Sequence, residues 1–189
     1  GQLDGGAGGA AGRQQVVGLA AAMQPDDVLL PSFREHGAQL WRGVTLREMF
    51  LYWGGDERRS RWSGPAHDFP FCIPVGSQAP HAAGVACAIK LRREPRVAVC
   101  VLGDGATSKG DVYEAMNFAG VHKLPVVFVI NNNQWAISVP LRLQTACATL
   151  AQKAIAAGFA TEQVDGNDCL AVRAAAEEAN QLKDQFLAM

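Results

Sequence analysis

The sequence contains no close pair of cysteines, and this absence argues against the common thiolate metal and redox sites. Zinc-binding and thiol-disulfide motifs use short C-x-x-C spacings, and none is present here. Several of the cysteines fall in apolar segments, where free cysteine behaves as a small hydrophobic residue. We therefore expect all five cysteines to be reduced and buried as small hydrophobic residues: Cys72, Cys87, Cys100, Cys147 and Cys169.

The chain also lacks a strong net charge and a long apolar run. Its formal net charge is −1 and its pI is near 6.5, so electrostatics give no case for nucleic acid or an anionic membrane surface as a partner. The longest apolar run, Leu124–Ile130, contains a proline and is far shorter than the roughly 20 residues that span a bilayer. We predict no nucleic-acid partner and no membrane partner.

Three familiar motifs of nucleotide-binding proteins and hydrolases are missing as well. There is no G-x-x-x-x-G-K-S/T phosphate loop, no G-x-G-x-x-G after a strand and no G-x-S-x-G nucleophile elbow. These absences argue against a P-loop nucleotidase, a dinucleotide-binding domain and an α/β-hydrolase.

The length and composition of the chain indicate one folded domain. The 189 residues are 49% hydrophobic, enough for a single core. Residues 1–12, GQLDGGAGGAAG, offer almost no side chains for packing and are expected to be a linker or remnant. We expect the folded domain to occupy residues 13–189 and to be incomplete at its C-terminus.

A strand-helix-strand pattern follows in the middle of the chain. RVAVCVL and LPVVFVINNN are almost wholly apolar, and the helical segment SKGDVYEAMNFAGVH separates them. Apolar strands of this kind are typical of a parallel sheet covered by helices on both faces. Ser77 is a candidate N-cap of the helix before RVAVCVL, and GFATEQVDG is predicted as a further strand. The predicted fold class is α/β, a doubly wound, mostly parallel sheet, truncated at both ends.

Polar residues collect where the two apolar strands end. Asp104 stands between two glycines after the first strand, and Asn131, Asn132 and Asn133 end the second. Ligands bind at this edge of open α/β sheets, and the amides of Gly105 and Ala106 precede a helix N-terminus that favours anions.

The spacing of Ser108 and Asp111 predicts a capping box at that helix start. Hard oxygen ligands beside a phosphate-binding turn suit Mg²⁺ bound to a diphosphate. Either motif alone is a common turn or loop, and it is their pairing across one helix and one strand that favours a site.

Three segments of the sequence resemble those of a known family. GDGATSKGDVYEAMNFAGVHKLPVVFVINNNQWAIS is similar to the thiamine-diphosphate motif of the alpha subunit of the dehydrogenase component of 2-oxo acid dehydrogenase complexes. PSFREHGAQLWRGV and PVGSQAPHAAGVA resemble two other segments of that subunit, and the likeness runs from about Val16 to about Asn180. In particular, the chain resembles bacterial pyruvate dehydrogenase (acetyl-transferring) alpha subunits.

The resemblance implies a cofactor site made of thiamine diphosphate and Mg²⁺. It assigns the metal to the side chains of Asp104 and Asn133 and to the carbonyl of Trp135. It places three further residues in the turn that holds the diphosphate: Gly103, Gly105 and Ala106.

The other two segments imply contacts to the rest of the cofactor. Arg34 would bind the diphosphate through its fork of donors, and Phe33 stands where the family often has tyrosine. Ile73 and Val75 would meet the aminopyrimidine, with Val75 as the apolar wedge that bends the cofactor. His67 matches a family histidine and is the candidate catalytic residue, although an ordinary loop role is equally compatible with its position.

The implied reaction is decarboxylation of a 2-oxo acid, with pyruvate favoured, and transfer of the acyl group to the lipoyl domain of an acyltransferase component. The implied partner is a beta subunit in a heterotetramer of two alpha and two beta chains, and the implied location is the cytoplasm, or the mitochondrial matrix in a eukaryote.

Two departures from the family pattern keep a second hypothesis open. Arg13 stands where an acid is expected, and the sequence stops before a histidine-bearing loop. The alternative is a catalytically silent alpha-like module that keeps the fold and binds partners.

Overall fold

The computed structural model of the chain describes residues 16–59 and 61–187. The predicted linker over residues 1–12 and the predicted start of the domain at Arg13 lie outside the described residues. Three strands, β1 (Val28–Leu30), β2 (Ala98–Gly103) and β3 (Val126–Asn131), form a parallel sheet in the order β1-β2-β3. Two short strands, β4 (Trp135–Ala136) and β5 (Val139–Pro140), pair as an antiparallel hairpin.

Seven helices accompany these strands in the described part of the chain. Four of them lie between consecutive strands of the sheet along the chain, as a wound α/β fold requires. Their bounds are α1 (16–22), α2 (His36–Trp41), α3 (Leu46–Trp53), α4 (Gln78–Arg92), α5 (Gly110–Val121), α6 (Ala151–Ala156) and α7 (Cys169–Leu187).

The sheet carries a separate hydrophobic core on each face. On one face, α4 and α5 bury alanines and aliphatic residues such as Ile89 and Val112 against Leu30, Cys100 and Leu102. On the other face, α1 and α7 cover Leu29, Val99 and Val101 with residues that include Leu19 and Val172. Because both faces are covered, the strands are apolar throughout, and the predicted doubly wound α/β class is confirmed.

The predicted strand GFATEQVDG is wrong. Residues 159–165 form no strand in the structure, and 160–165 are exposed. Phe159 packs edge-on against Phe128 of β3, with the ring centroids 5.6 Å apart, but its successors pair with no described strand. An alternating pattern is insufficient without a neighbouring strand to supply hydrogen bonds.

The predicted capping box at Ser108 and Asp111 is also wrong. Residues Asp104–Ser108 form a 3₁₀ turn, and α5 then starts after Lys109 with no side-chain cap. The Ser108 hydroxyl donates instead to the Gln144 carbonyl oxygen at 3.1 Å. Ser77 does precede α4 as predicted, yet its hydroxyl donates backward to Pro74 O. All five cysteines are free, as predicted, but the expected burial is wrong for most of them, since only Cys100 is buried and Cys147 is exposed. No described helix has the length and apolar content to cross a membrane.

Candidate functional site

Asp104 is the buried acid at the carboxyl edge of the sheet. It follows β2 directly and is only 2% exposed. Burial raises the pKa of its carboxyl above the ordinary range, while hydrogen bonds from its own amide, from Gln144 and from the Gly105 amide oppose this rise. The Gln144 Nε2 atom lies 3.5 Å from Asp104 Oδ2, which is a long contact. A cation beside this carboxylate would offset the cost of burying its charge.

The hairpin of β4 and β5 lies against the turn that begins at Asp104. A Cβ atom built on Gly105 would sit 2.6 Å from the Cβ of Ala136 in β4, so only glycine permits this approach. At the hairpin tip, Ile137 is fully exposed and has a φ of 57°, a left-handed conformation that is costly for a β-branched residue. The hairpin therefore brings the residues after β3 next to the Asp104–Ser108 turn.

The hairpin turns the backbone of Trp135 away from its partner strand. Leu141 N donates to Gln134 O at 2.8 Å, so the adjacent Trp135–Pro140 pair is a non-hydrogen-bonded pair of the antiparallel ladder. The carbonyl of Trp135 therefore points away from β5. Asn133 is exposed, and its Oδ1 atom accepts a hydrogen bond from Trp135 N at 2.9 Å, which fixes the side-chain oxygen at the Trp135 amide.

Glu35 joins the first predicted segment to the asparagine run. It is 1% exposed; its Oε2 atom accepts from the Ser32 hydroxyl at 2.6 Å and its Oε1 atom accepts from Asn131 Nδ2 at 3.2 Å. Burial raises the pKa of Glu35, and the Ser32 hydrogen bond is the largest opposing cause. The Oδ1 atom of Asn131 is buried and has no hydrogen-bond partner among the described residues. Sequence reasoning missed Glu35, because a glutamate in a polar loop carries no signal of burial.

Arg34 and Phe33 stand at the same edge, one after the other. Arg34 is exposed, and its guanidinium lies 4.9 Å from the centroid of the Phe33 ring. Stacking on an aromatic face leaves the donors at the rim of the guanidinium available to an anion. The arrangement is compatible with the predicted role of Arg34 toward a diphosphate.

The third predicted segment also reaches the turn. Ile73 and Val75 are half exposed, and the Val75 carbonyl oxygen accepts from Lys109 Nζ at 2.8 Å. Gly76 has a φ of 81°, and a Cβ atom there would meet Val112 at 2.9 Å and Ala106 at 3.7 Å. The three segments that carry the family resemblance therefore converge at one edge of the sheet.

Gln144 is a second residue that the sequence did not reveal. Its Nε2 atom donates to Val139 O at 2.8 Å and also approaches Asp104. Its backbone carbonyl oxygen accepts from the Ser108 hydroxyl. Gln144 thereby ties the segment after β5 to both ends of the Asp104–Ser108 turn. It lies in a stretch without periodic pattern, where no sequence signal points to it.

His67 lies at the other end of the sheet. It lines an open cavity together with Val28 at the start of β1 and Glu94 and Arg96 just before β2, and it is exposed. The amino ends of the strands are opposite the edge that holds Asp104, because β1 and β2 are parallel. The structure does not bring the predicted catalytic histidine to the site, and its assignment receives no geometric support.

The oxygen donors at this edge suit a hard divalent ion. The ligands predicted from the sequence are one carboxylate (Asp104), one amide oxygen (Asn133) and one backbone carbonyl (Trp135), and such a set would leave coordination positions for phosphate and water, as Mg²⁺ prefers. No cluster of three or more His, Cys, Asp or Glu residues that could hold a metal occurs in the described part of the chain. The site thus lacks the ligands typical of zinc or iron centres.

A parallel sheet covered by helices on both faces, with glycine turns, a buried acid and a helix start at its carboxyl edge, places this chain among the doubly wound α/β proteins, which bind their ligands at that edge. Comparison with known proteins narrows this class. The family model described as "Dehydrogenase E1 component" matches residues 9–187. The chain belongs to this family.

Relatives of high identity agree with the family assignment. The chain is 48% identical over 163 residues to "Pyruvate dehydrogenase E1 component subunit alpha" of Acholeplasma laidlawii, covering 86% of this chain and 47% of that protein. It is 42% identical to the protein of the same name from Bacillus subtilis, covering 85% of this chain and 43% of the relative. It is also 44% identical to "3-methyl-2-oxobutanoate dehydrogenase subunit alpha" of Mycobacterium tuberculosis, with 86% and 44% covered. The chain spans just under half the length of these relatives.

A solved structure confirms the fold. The chain superposes with a TM-score of 0.63 and 23% identity on a putative thiamin diphosphate-dependent enzyme from Mycobacterium smegmatis, covering 89% of this chain and 29% of that one.

Proposed function

We propose that the chain provides the thiamine-diphosphate- and Mg²⁺-binding part of the alpha subunit of a 2-oxo acid dehydrogenase, with pyruvate as the substrate. The observation that carries the proposal is the convergence of the Asp104 turn, the Asn133–Trp135 segment and the Arg34 loop at one sheet edge. Relatives with alpha-subunit names at 42–48% identity support it.

Each residue of the site has a role that its chemistry suits. Asp104, Asn133 and the Trp135 carbonyl would hold Mg²⁺, and the amides of Gly105 and Ala106 at the start of the 3₁₀ turn would hold the diphosphate. Arg34 would bind the same phosphates from the β1 side. The exposed side chains of Ile73 and Val75 offer apolar contact to the ring system.

When bound, thiamine diphosphate supplies the carbanion and the electron sink for decarboxylation of a 2-oxo acid. The residues of this chain would contribute binding, orientation and exclusion of water. The remaining groups would come from a beta subunit, and the acyl group would pass to a lipoyl domain. The cytoplasmic location stays a prediction.

Calorimetry of the full chain tests the cofactor assignment. Thiamine diphosphate titrated in the presence of Mg²⁺ should bind, and omission of Mg²⁺ should abolish the heat signal. Asp104→Ala should abolish Mg²⁺-dependent binding while circular dichroism remains unchanged, whereas Asp111→Ala, which removes an acid from the first turn of α5, should bind like the wild type. Unchanged binding by Asp104→Ala would contradict the proposal.

Reconstitution with a beta subunit distinguishes an enzyme from a silent module. The two chains would be co-expressed, and the complex would be assayed for pyruvate-dependent reduction of an artificial electron acceptor. Cofactor binding and complex formation without any turnover would favour the silent module.

A further inference from the structure

Lys153 is a buried cation that the proposed function does not yet use. It lies in α6 and is 6% exposed. Its Nζ atom donates to both the carbonyl oxygen and the hydroxyl oxygen of Thr107, each at 3.0 Å. The Thr107 hydroxyl in turn donates to the carbonyl oxygen of Asp104 at 2.7 Å. Lys153 is therefore linked by two consecutive hydrogen bonds to the first residue of the phosphate-binding turn.

The position of Lys153 is fixed by tight helix packing. Ala154 and Ala157 pack on the core between α5 and the sheet, and the carbonyl oxygen of Ala157 lies so near Gly120 of α5 that no Cβ atom would fit there. Because α6 cannot move away from α5 without losing this contact, the ammonium is held beneath the turn. A long lysine side chain on a loosely packed helix would not be positioned in this way.

The ammonium of Lys153 has neutral partners only. No carboxylate of the described residues lies within ion-pair distance of Nζ. Two titratable groups act near it: Tyr113, whose ring centroid is 5.9 Å from Nζ, and Cys147. Burial lowers the pKa of Lys153, as expected for a cation removed from water without a counter-charge. A fold tolerates such a group where an anion compensates it.

The compensating anion would bind at the same turn. Lys153 holds Thr107, and Thr107 belongs to the Asp104–Ser108 turn whose Gly105 and Ala106 amides precede α5. A diphosphate on those amides would carry more negative charge than one Mg²⁺ neutralises, and the field of a buried ammonium acts on it with little screening.

We propose that Lys153 is a positioning residue for diphosphate binding: it holds the Asp104–Ser108 turn through Thr107 and supplies a fixed positive charge behind it. The inference rests on the proposed function, since it names a residue that would serve the same site. In this proposal two residues supply positive charge to the diphosphate end of the cofactor, Arg34 and Lys153.

The first measurement needs no cofactor. The Lys109 amide donates to Ala106 O at 3.1 Å and closes the turn, so its hydrogen exchange in the full chain reports whether the turn is held. Lys153→Met, which keeps the length of the side chain without its charge, should accelerate this exchange about tenfold. The control is Lys90→Met: Lys90 is exposed and donates to the His122 and Lys123 carbonyls, away from the turn.

The second measurement separates charge from shape. Calorimetry with Mg²⁺-pyrophosphate and Mg²⁺-thiamine diphosphate would be performed at low and high salt. Lys153→Met should bind both about tenfold more weakly and with a smaller salt dependence. Thr107→Val, which removes the hydroxyl link but keeps the ammonium, should weaken binding about threefold and retain the wild-type salt dependence.

Each outcome decides the proposal. If Lys153→Met accelerates exchange but leaves affinity and salt dependence unchanged, Lys153 only stabilises the fold and the inference is overturned. If Lys153→Met does not fold by circular dichroism, Thr107→Val decides, and wild-type affinity in that variant overturns the inference. If the wild-type chain binds neither probe, the proposed function fails too, whereas normal wild-type binding with an unaffected lysine variant contradicts the inference alone.

Discussion

Asn131 donates a hydrogen bond from Nδ2 to Oε1 of Glu35 at 3.2 Å, and this contact joins the loops after β1 and β3 across the end of β2. Glu35 also accepts from Ser32, so its carboxylate is fixed from both sides. Asp104 lies at the end of the intervening strand, and the bridge therefore holds the two flanking loops in register around the buried acid.

Glu35→Gln should stabilise the chain at neutral pH by about 1 kcal/mol, because an amide satisfies both neighbours without a buried charge. Burial raises the folded-state pKa of Glu35 above its ordinary value of 4.5, so the folded chain binds this proton more tightly than the unfolded chain. Wild-type stability should therefore fall as the pH rises from 4.5 through the raised pKa. Urea unfolding across this range should show the fall in the wild type and a flatter profile in Glu35→Gln.

The control for this prediction is Glu114→Gln on the exposed face of α5, which should follow the wild-type profile. A Glu35→Gln variant that is less stable than the wild type at neutral pH would mean that the bridge requires the charge.

Gly105→Ala should disrupt the contact between the turn and the hairpin. The new Cβ atom would lie 2.6 Å from the Cβ of Ala136, and overpacking of this kind costs about 1–3 kcal/mol. Ala136→Gly in the same chain should restore most of the lost stability and cofactor affinity, since it removes the colliding atom. Urea unfolding and calorimetry of the single and double variants give the coupling between the two sites.

A matched control for Gly105→Ala is available nearby. Gly110 opens α5, and no atom lies within 4 Å of a Cβ built there, so Gly110→Ala should stabilise by about 0.5–1 kcal/mol. If Gly105→Ala behaves in the same way, the hairpin does not rest on the turn.

The parts of the fold that sequence predicted are those with a strong periodic or apolar signal. β2 and β3 follow from runs that are apolar because both sheet faces are covered, and Asp104 and the asparagines follow from where those runs end. The β4–β5 hairpin was not predicted, because Gln134 and Ile137 adopt positive φ values, which are uncommon for these residue types.

The long loop between α3 and α4 escaped sequence reasoning for a different reason. Its course depends on contacts with distant residues, such as the pairing of Asp68 with Arg42 and of Ser63 with Glu48. A pattern within the loop carries no information about such partners, so it could not show that His67 lies near the amino ends of the strands.

Glu48→Gln should destabilise the chain by about 1–2 kcal/mol at neutral pH. Glu48 completes a capping box with Thr45 and accepts from the amide and hydroxyl of Ser63. The Ser63 hydroxyl contributes most to lowering the pKa of Glu48, to about 2, ahead of the bonds from Thr45. Because the folded-state pKa is lowered, this stabilisation is present above 4.5 and is lost as the pH falls toward 2.

Thermal unfolding between these two pH values checks the assignment of Glu48. The wild type should lose stability over this interval relative to Glu48→Gln, and the two chains should converge at its acid end. Curves that remain parallel would show that Glu48 is not the group responsible.

Arg42→Met should be the most damaging of these substitutions, at about 3–5 kcal/mol, because it leaves the carboxylate of Asp68 buried without its cation. Arg42 binds Asp68 through Nε at 2.6 Å and Nη2 at 3.0 Å, and their side chains are 4% and 13% exposed.

Arg42→Lys loses this two-point geometry and should cost about 1–2 kcal/mol. The exposed pair of Arg58 and Asp56 is the control, since Arg58→Met should leave the stability close to that of the wild type. Asp68 also accepts from the Leu29 amide, so the pair anchors to β1 the loop that leads to Ile73 and Val75. Calorimetry should accordingly show weaker cofactor binding in Arg42→Lys and wild-type binding in Arg58→Met, and equal binding by both variants would contradict a role for this anchor in forming the site.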